Sequence, residues 1–190
     1  ALMRNAFYPV SHAFLTRIDT AMDTHYWANW GLANIACILA IGVLCDDAEL
    51  VNEAVTHFKT GGSNGCIRQA VYYLHPGNLG QWQEAGRDQG HSTLGIALTG
   101  AICEMAWSQG IDLYGYDNNR FLAGAEYVAK ANLKQADGAF YTVPFVTYQN
   151  SAGVTQTQFS TGGQGDALGR PCWALVANHY INRKGLAAPY

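Results

Sequence analysis

Apolar residues recur at helical spacing over several stretches of the chain. Between Trp27 and Cys45 they stand on nearly every side (Leu32, Ile35, Ala36, Ile38, Leu39, Ile41, Val43, Leu44), which predicts a helix lying between other helices. Asp23 or Thr24 is placed to cap it. Ala48 to Phe58 repeats the period with Leu50, Val51, Ala54, Val55 and Phe58. Ser92 to Gln109 does so with Leu94, Leu98, Ala101, Ile102, Met105 and Ala106, and Gly110 is its stop. A further helix runs from a cap at Asp117 or Asn118 to about Leu133. Pro171 is expected as the first residue of a last one over Cys172 to Arg183. Ala1 to Asp23 reads as a short helical piece broken near Pro9.

Polar segments separate these helices. Thr60 to Gly65 is a loop. Cys66 to Leu74 starts as helix, and His75 to Gly90 is expected as a long polar loop. Lys134 to Gly169 is rich in Gly, Thr, Gln and aromatics, with alternation only around Phe140 to Tyr148. It predicts a long irregular loop containing short strands, a feature that usually serves function. The expected class is mainly all-α, helix–loop–helix, in one domain over 1–190. Polar, aromatic-rich loops should meet at one end. There is no regular repeat, dinucleotide fingerprint, P-loop or GxSxG elbow.

Composition narrows the partners. Apolar residues make up 49% of the 190 positions and charged residues 13%, about half the usual charged share. The net charge is -3 without a basic run, so nucleic acid is not an expected partner. The uncharged run Trp27 to Cys45 contains Asn29 and Asn34 and ends at Asp46 and Asp47. It suits a buried helix better than a membrane span. Neutral polar and aromatic surfaces suit sugars: rings stack on pyranose faces and amides bond to hydroxyls. The five cysteines lack CxxC spacing, and Cys37, Cys45 and Cys103 read as core hydrophobes. His25, His75, His91 and His179 are dispersed without an HxxxH or HExxH pair. Neither a metal nor another cofactor is expected.

The richest chemistry lies in Gly80-Gln-Trp-Gln-Glu-Ala-Gly-Arg-Asp-Gln-Gly-His91, which reads as a polar ligand cleft or as a buried network pinning a loop. His25-Tyr-Trp-Ala-Asn-Trp30 opens another apolar helix in the same manner. These two segments, with Leu39 to Asp47, Asn119 to Tyr127 and Trp173 to Gly185, resemble the alginate lyase superfamily in order along nearly the whole chain. The likeness is greatest to lyases acting on alginate and glucuronan. It implies an incomplete (α/α) toroid of which this chain is the C-terminal part, the missing helices lying before Ala1 or self-association covering the open face. It also implies β-elimination from an anionic, uronate-containing polysaccharide, outside the cell or in the periplasm, although no signal peptide is visible at Ala1. Many relatives carry adjacent Asn-His where this chain has Asn29-Trp30, so the imidazole role falls to His91.

Under this resemblance Asn29 neutralises the substrate carboxylate, assisted by Gln89 or Arg87. His91 is the base, and Tyr148 is the acid that protonates the leaving oxygen, with Tyr141 and Tyr180 as rivals. A Tyr148 made more acidic by a nearby cation would serve as both base and acid. Trp27, Trp30 and Trp82 line subsites by stacking, and His25, Glu84, Arg170, His179 and Tyr180 complete the cleft. Structural roles compete with these. Asn29 at a helix start can bond to backbone, and Arg87 is expected to pair with Glu84 or Asp88. Two other classes stay open: a non-catalytic glycan-binding protein or inactive fragment, and a hydrolase using Glu84 and Asp88.

Overall fold

A computed structural model describes residues 2–9, 27–149 and 153–190. Among the described residues the protein is mainly helical, with two short antiparallel strand pairs. Residues 2–9 form α1. Asp23 and Thr24, the expected caps of the next helix, lie outside the described residues. That helix, α2 (Ala28–Leu44), has Trp27 at its N-cap and no side-chain cap there. Its first amides find acceptors far along the chain instead. Ala28 N–H donates to Gln83 Oε1 at 2.8 Å and Asn29 N–H to Glu84 Oε2 at 3.2 Å.

As its all-round apolarity predicts, α2 packs on both α3 (Ala48–Thr60) and α5 (Gln89–Ser108). Leu32, Ile35, Ile38 and Leu39 are fully buried. Asp47 caps α3 by accepting from the amides of Glu49 and Leu50, and a three-residue link makes α2 and α3 a helical hairpin. Among the described residues no helix is long and apolar enough to cross a membrane.

The stretch expected as one polar loop is different. After a single turn, α4 (Ile67–Ala70), the chain enters a hairpin of β1 (Val71–His75) and β2 (Leu79–Trp82). Gly77 and Asn78 turn it with φ of 80° and 58°. Every residue of β2 is buried, so it shows none of the alternation that marks a half-buried strand. It packs on α6 (Tyr116–Asn132). The approach requires glycine. A Cβ on Gly80 would lie 2.9 Å from the backbone of Ala123 and Gly124, and one on Gly95 would lie 2.3 Å from the Trp82 indole.

Asp117 and Asn118 do not cap α6 from outside. With Asn119 they sit within its first turn at φ of 51° to 59°, and Asp117 accepts from Arg68 and Arg120. The long segment after α6 is irregular, as expected. It carries a Lys134–Phe140 bridge, β3 (Tyr148–Gln149) paired with β4 (Thr155–Gln156), and a 3-10 turn over Asp166–Gly169. Pro171 lies in the turn before α7 (Trp173–Ala177) rather than at its first position, and α7 continues as a π-helical turn, Asn178–Arg183. All five cysteines are free; Cys103 is in the core, while Cys37 and Cys45 are half-buried against it.

Candidate active site

The chain leaves β2 through a tight turn that places Gln83 and Glu84 inward and Arg87, Asp88 and His91 toward the surface. Gln83 holds the start of α2 through Oε1, while its Nε2 donates to Asn64 Oδ1 and Gln69 O. Glu84 is fully buried. One of its oxygens accepts from the backbone N–H of Asn29 and the other from Arg87, 3.0 Å away. Burial pushes its carboxyl above the usual carboxylate range, opposed by the Asn29 N–H and the Arg87 charge. The Arg87–Glu84 pair is therefore the expected loop-fixing contact; Arg87 Nε also lies 3.9 Å from Asp88.

Asp88 is the N-cap of α5. Its Oδ1 accepts the backbone N–H of His91 at 2.7 Å, and its Oδ2 lies 2.6 Å from His91 Nδ1. The imidazole side chain is 36% exposed. It faces an open hollow of about 370 Å³ whose polar wall is Asn29, Arg87 and His91 and whose apolar wall is Trp30, Ala33, Leu94 and Leu98. Asn29 Oδ1 is buried and has no hydrogen-bond partner among the described residues, so its side-chain carbonyl is not engaged by the fold. Trp30 is 45% exposed at the rim.

Tyr148 approaches from the irregular segment. Gln81 clamps that segment, accepting from Val146 N–H at 2.8 Å and donating to Val146 O at 2.9 Å. Tyr72 and Tyr127 add hydroxyl bonds to Val146 O and Pro144 O. The Tyr148 ring packs on Tyr72 at 4.7 Å and on Trp27 at 6.3 Å. Trp27 in turn meets the Arg87 guanidinium at 5.7 Å. Tyr148 thus stands beside the hollow, across Trp27, and does not line it. Burial and the negative Glu84 push its phenol up to about 12.

Several expected ligands lie elsewhere. Trp82 is fully buried between Gly95 and Gly124, so it is a core residue and not a stacking subsite. Gln89 is buried with its amide bonded to Ala85 O, Ser160 O and Asn132; it ties the long segment down and offers nothing to a ligand. His179 and Tyr180 are fully buried near the C-terminal end of α5, where Tyr180 donates to Tyr114 O. Tyr141 packs against Tyr190. Arg170 is exposed just past the 3-10 turn and does not line the hollow. His25 lies outside the described residues. Glu84 and Asp88, the pair a hydrolase would need, are already engaged by Arg87, Asn29 and His91.

Sequence reasoning missed the Asp88–His91 contact. Its signal was the i to i+3 spacing of a helix N-cap. It also missed the capping of α2 by Gln83 and Glu84, for which no local signal exists. A second cavity of about 360 Å³ between α6 and α7 is walled by Ala125, Ala129, Leu133, Trp173 and Val176. Its carboxylate, Glu126, is buried and bonded to the Tyr190 amide, and it holds no imidazole. The hollow at the start of α5 is the better candidate.

The family model described as Alginate lyase matches residues 6–137. The span takes in Asn29, Glu84, Arg87, Asp88 and His91 and stops short of Tyr148. No curated protein and no solved structure matches the chain.

Proposed function

Because the chain belongs to the alginate lyase family, a family of polysaccharide lyases, we propose that it cleaves a uronate-containing polysaccharide, alginate or glucuronan, by β-elimination. The observation that carries this reading is the single hollow lined by an amide, a guanidinium and an imidazole. The C5 proton of a uronate is weakly acidic because the neighbouring carboxylate is already negative. Asn29 and Arg87 offset that charge, so that the enolate formed on proton loss is tolerable. His91 removes the C5 proton. Tyr148, which stands beside the hollow across Trp27, protonates the leaving glycosidic oxygen as the bond to C4 breaks, a step that requires the Trp27 ring to swing aside. A phenol held near 12 by burial and Glu84 is a proton donor at neutral pH. A phenol raised rather than lowered favours separate base and acid over one tyrosine in both roles. Trp27 and Trp30 supply stacking faces.

The architectural part of the proposal is an (α/α) toroid. The packing of α2 on α3 and α5 supports it. A polymeric substrate also fits an extracellular or periplasmic protein. Exposed apolar side chains away from the hollow, such as Leu44 and Leu74, favour association with a second copy. Light scattering tests this, and a lone soluble monomer would refute it.

Incubation of the chain with alginate and with glucuronan tests the activity. A rise in the ultraviolet band of an unsaturated uronate is expected with one of them. Binding of oligouronates without that rise would make the chain a glycan-binding protein. Cleavage without a double bond would make it a hydrolase, and neither binding nor cleavage would reject every sugar reading.

A further inference from the structure

We infer that Asp88 is a positioning residue that holds His91 in the Nδ1–H tautomer and leaves the Nε2 lone pair for the hollow. The inference rests on His91 being the base of the proposed elimination. It follows from donor and acceptor counting. An ionised carboxylate only accepts hydrogen bonds. Oδ1 takes the backbone N–H of His91 at 2.7 Å, which is a donor by covalent structure. Oδ2 lies 2.6 Å from Nδ1, so the ring hydrogen of a neutral imidazole belongs on Nδ1. The nitrogen opposite is then bare, as proton abstraction requires.

Asp88 faces donors on its other sides as well. It caps the N-terminus of α5, and Arg87 Nε is 3.9 Å from it. A single side chain therefore starts the helix and orients the ring. Elsewhere the ring contacts differ: His75 Nε2 meets the side-chain amide of Gln81, and His179 Nδ1 meets the guanidinium of Arg183.

The decisive variant is Asp88→Asn. Its Oδ1 still accepts the His91 amide, so the cap survives. Its Nδ2 can only donate, which obliges Nδ1 to accept and moves the ring hydrogen to Nε2. Ring nitrogen NMR, at a pH where the imidazole is neutral, should show the Nδ1–H tautomer in the wild type and the Nε2–H tautomer in Asp88→Asn. With the polymer that the wild type cleaves, kcat should fall roughly 100-fold or more, as tautomer errors do in other imidazole bases. KM and the melting temperature should barely change. Asp88→Ala would lower the melting temperature as well, since it removes the cap.

An Nε2–H ring in the wild type would overturn the inference. So would wild-type kcat in Asp88→Asn alongside an inactive His91→Ala. If the tautomer switches as expected but the wild type cleaves neither polymer, the positioning by Asp88 stands and the lyase reading is what fails.

Discussion

A histidine stands near each end of α5, His91 within it and His179 on the π-helical turn packed against its last residues, yet the two environments differ in access. At the N-terminal end His91 is held edge-on by Asp88 and faces an open hollow. At the C-terminal end His179 is fully buried. Tyr114 stacks on it at 3.7 Å, and Trp107 and Tyr180 meet it edge-on at 4.8 and 5.4 Å. Arg183 pairs with Glu104 at 2.9 Å and Lys184 with Asp112 at 2.7 Å. Sixteen helical residues, or about 24 Å at 1.5 Å each, separate His91 from Trp107 on α5. In composition the two clusters are nearly interchangeable. What separates a candidate site from a structural network is whether a ligand can reach the ring.

Exchanging the roles of the two ends would break the comparison. The largest effect is expected at the open end: His91→Ala and Tyr148→Phe should each reduce lyase turnover by roughly 10²- to 10⁴-fold, the range typical of a lost general acid or base, with melting temperatures close to wild type. Wild-type rates in both variants would remove them from the chemistry.

The middle of α5 tests stability alone. Trp82 fills the space against Gly95 and Gly124, so Trp82→Ala should cost about 3–5 kcal/mol in denaturant unfolding. A stable Trp82→Ala with weakened sugar binding would return this residue to the substrate surface. At the closed end, His179→Ala should cost about 1–3 kcal/mol through lost ring packing and leave turnover within about twofold. A large loss of kcat there would mean that the closed cluster takes part in the reaction.

The smallest effect is one of pH. Burial first, and then the charges of Lys184 and Arg183, hold the His179 imidazole below its ordinary value of 6.5, against the opposing Asp112 and Glu104. The unfolded chain therefore binds the proton more readily. This contribution to stability is complete above 6.5 and declines as the pH falls toward the folded-state value. Melting temperatures across pH 7 to 5 should show a decline that is reduced in His179→Phe. Equal declines in the two proteins would assign the pH dependence to other groups.

Helices were legible wherever burial follows a period along one element. α2, α3 and α5 appear within a few residues of expectation, because 3.6-residue spacing is a one-dimensional signal. The first hairpin was not, because all of β2 is buried and its turn, Pro76 to Asn78, lies in polar text. In the site, the segment Gly80 to His91 was recognisable as dense in chemistry. Its division of labour was not: Trp82, Gln83, Glu84 and Gln89 face inward, while Arg87 and His91 face the hollow.

The residue order by itself determined the helical class, the irregular segment after α6 and the chemical groups available near His91. Only the tertiary structure decided which of those groups meet. Glu84 reaches the first turn of α2, Trp27 stands between Arg87 and Tyr148, and His179 is closed off by Tyr114. The physical reason is that local propensity depends on neighbours along the chain, whereas access and hydrogen-bond partnership depend on whatever element packs opposite.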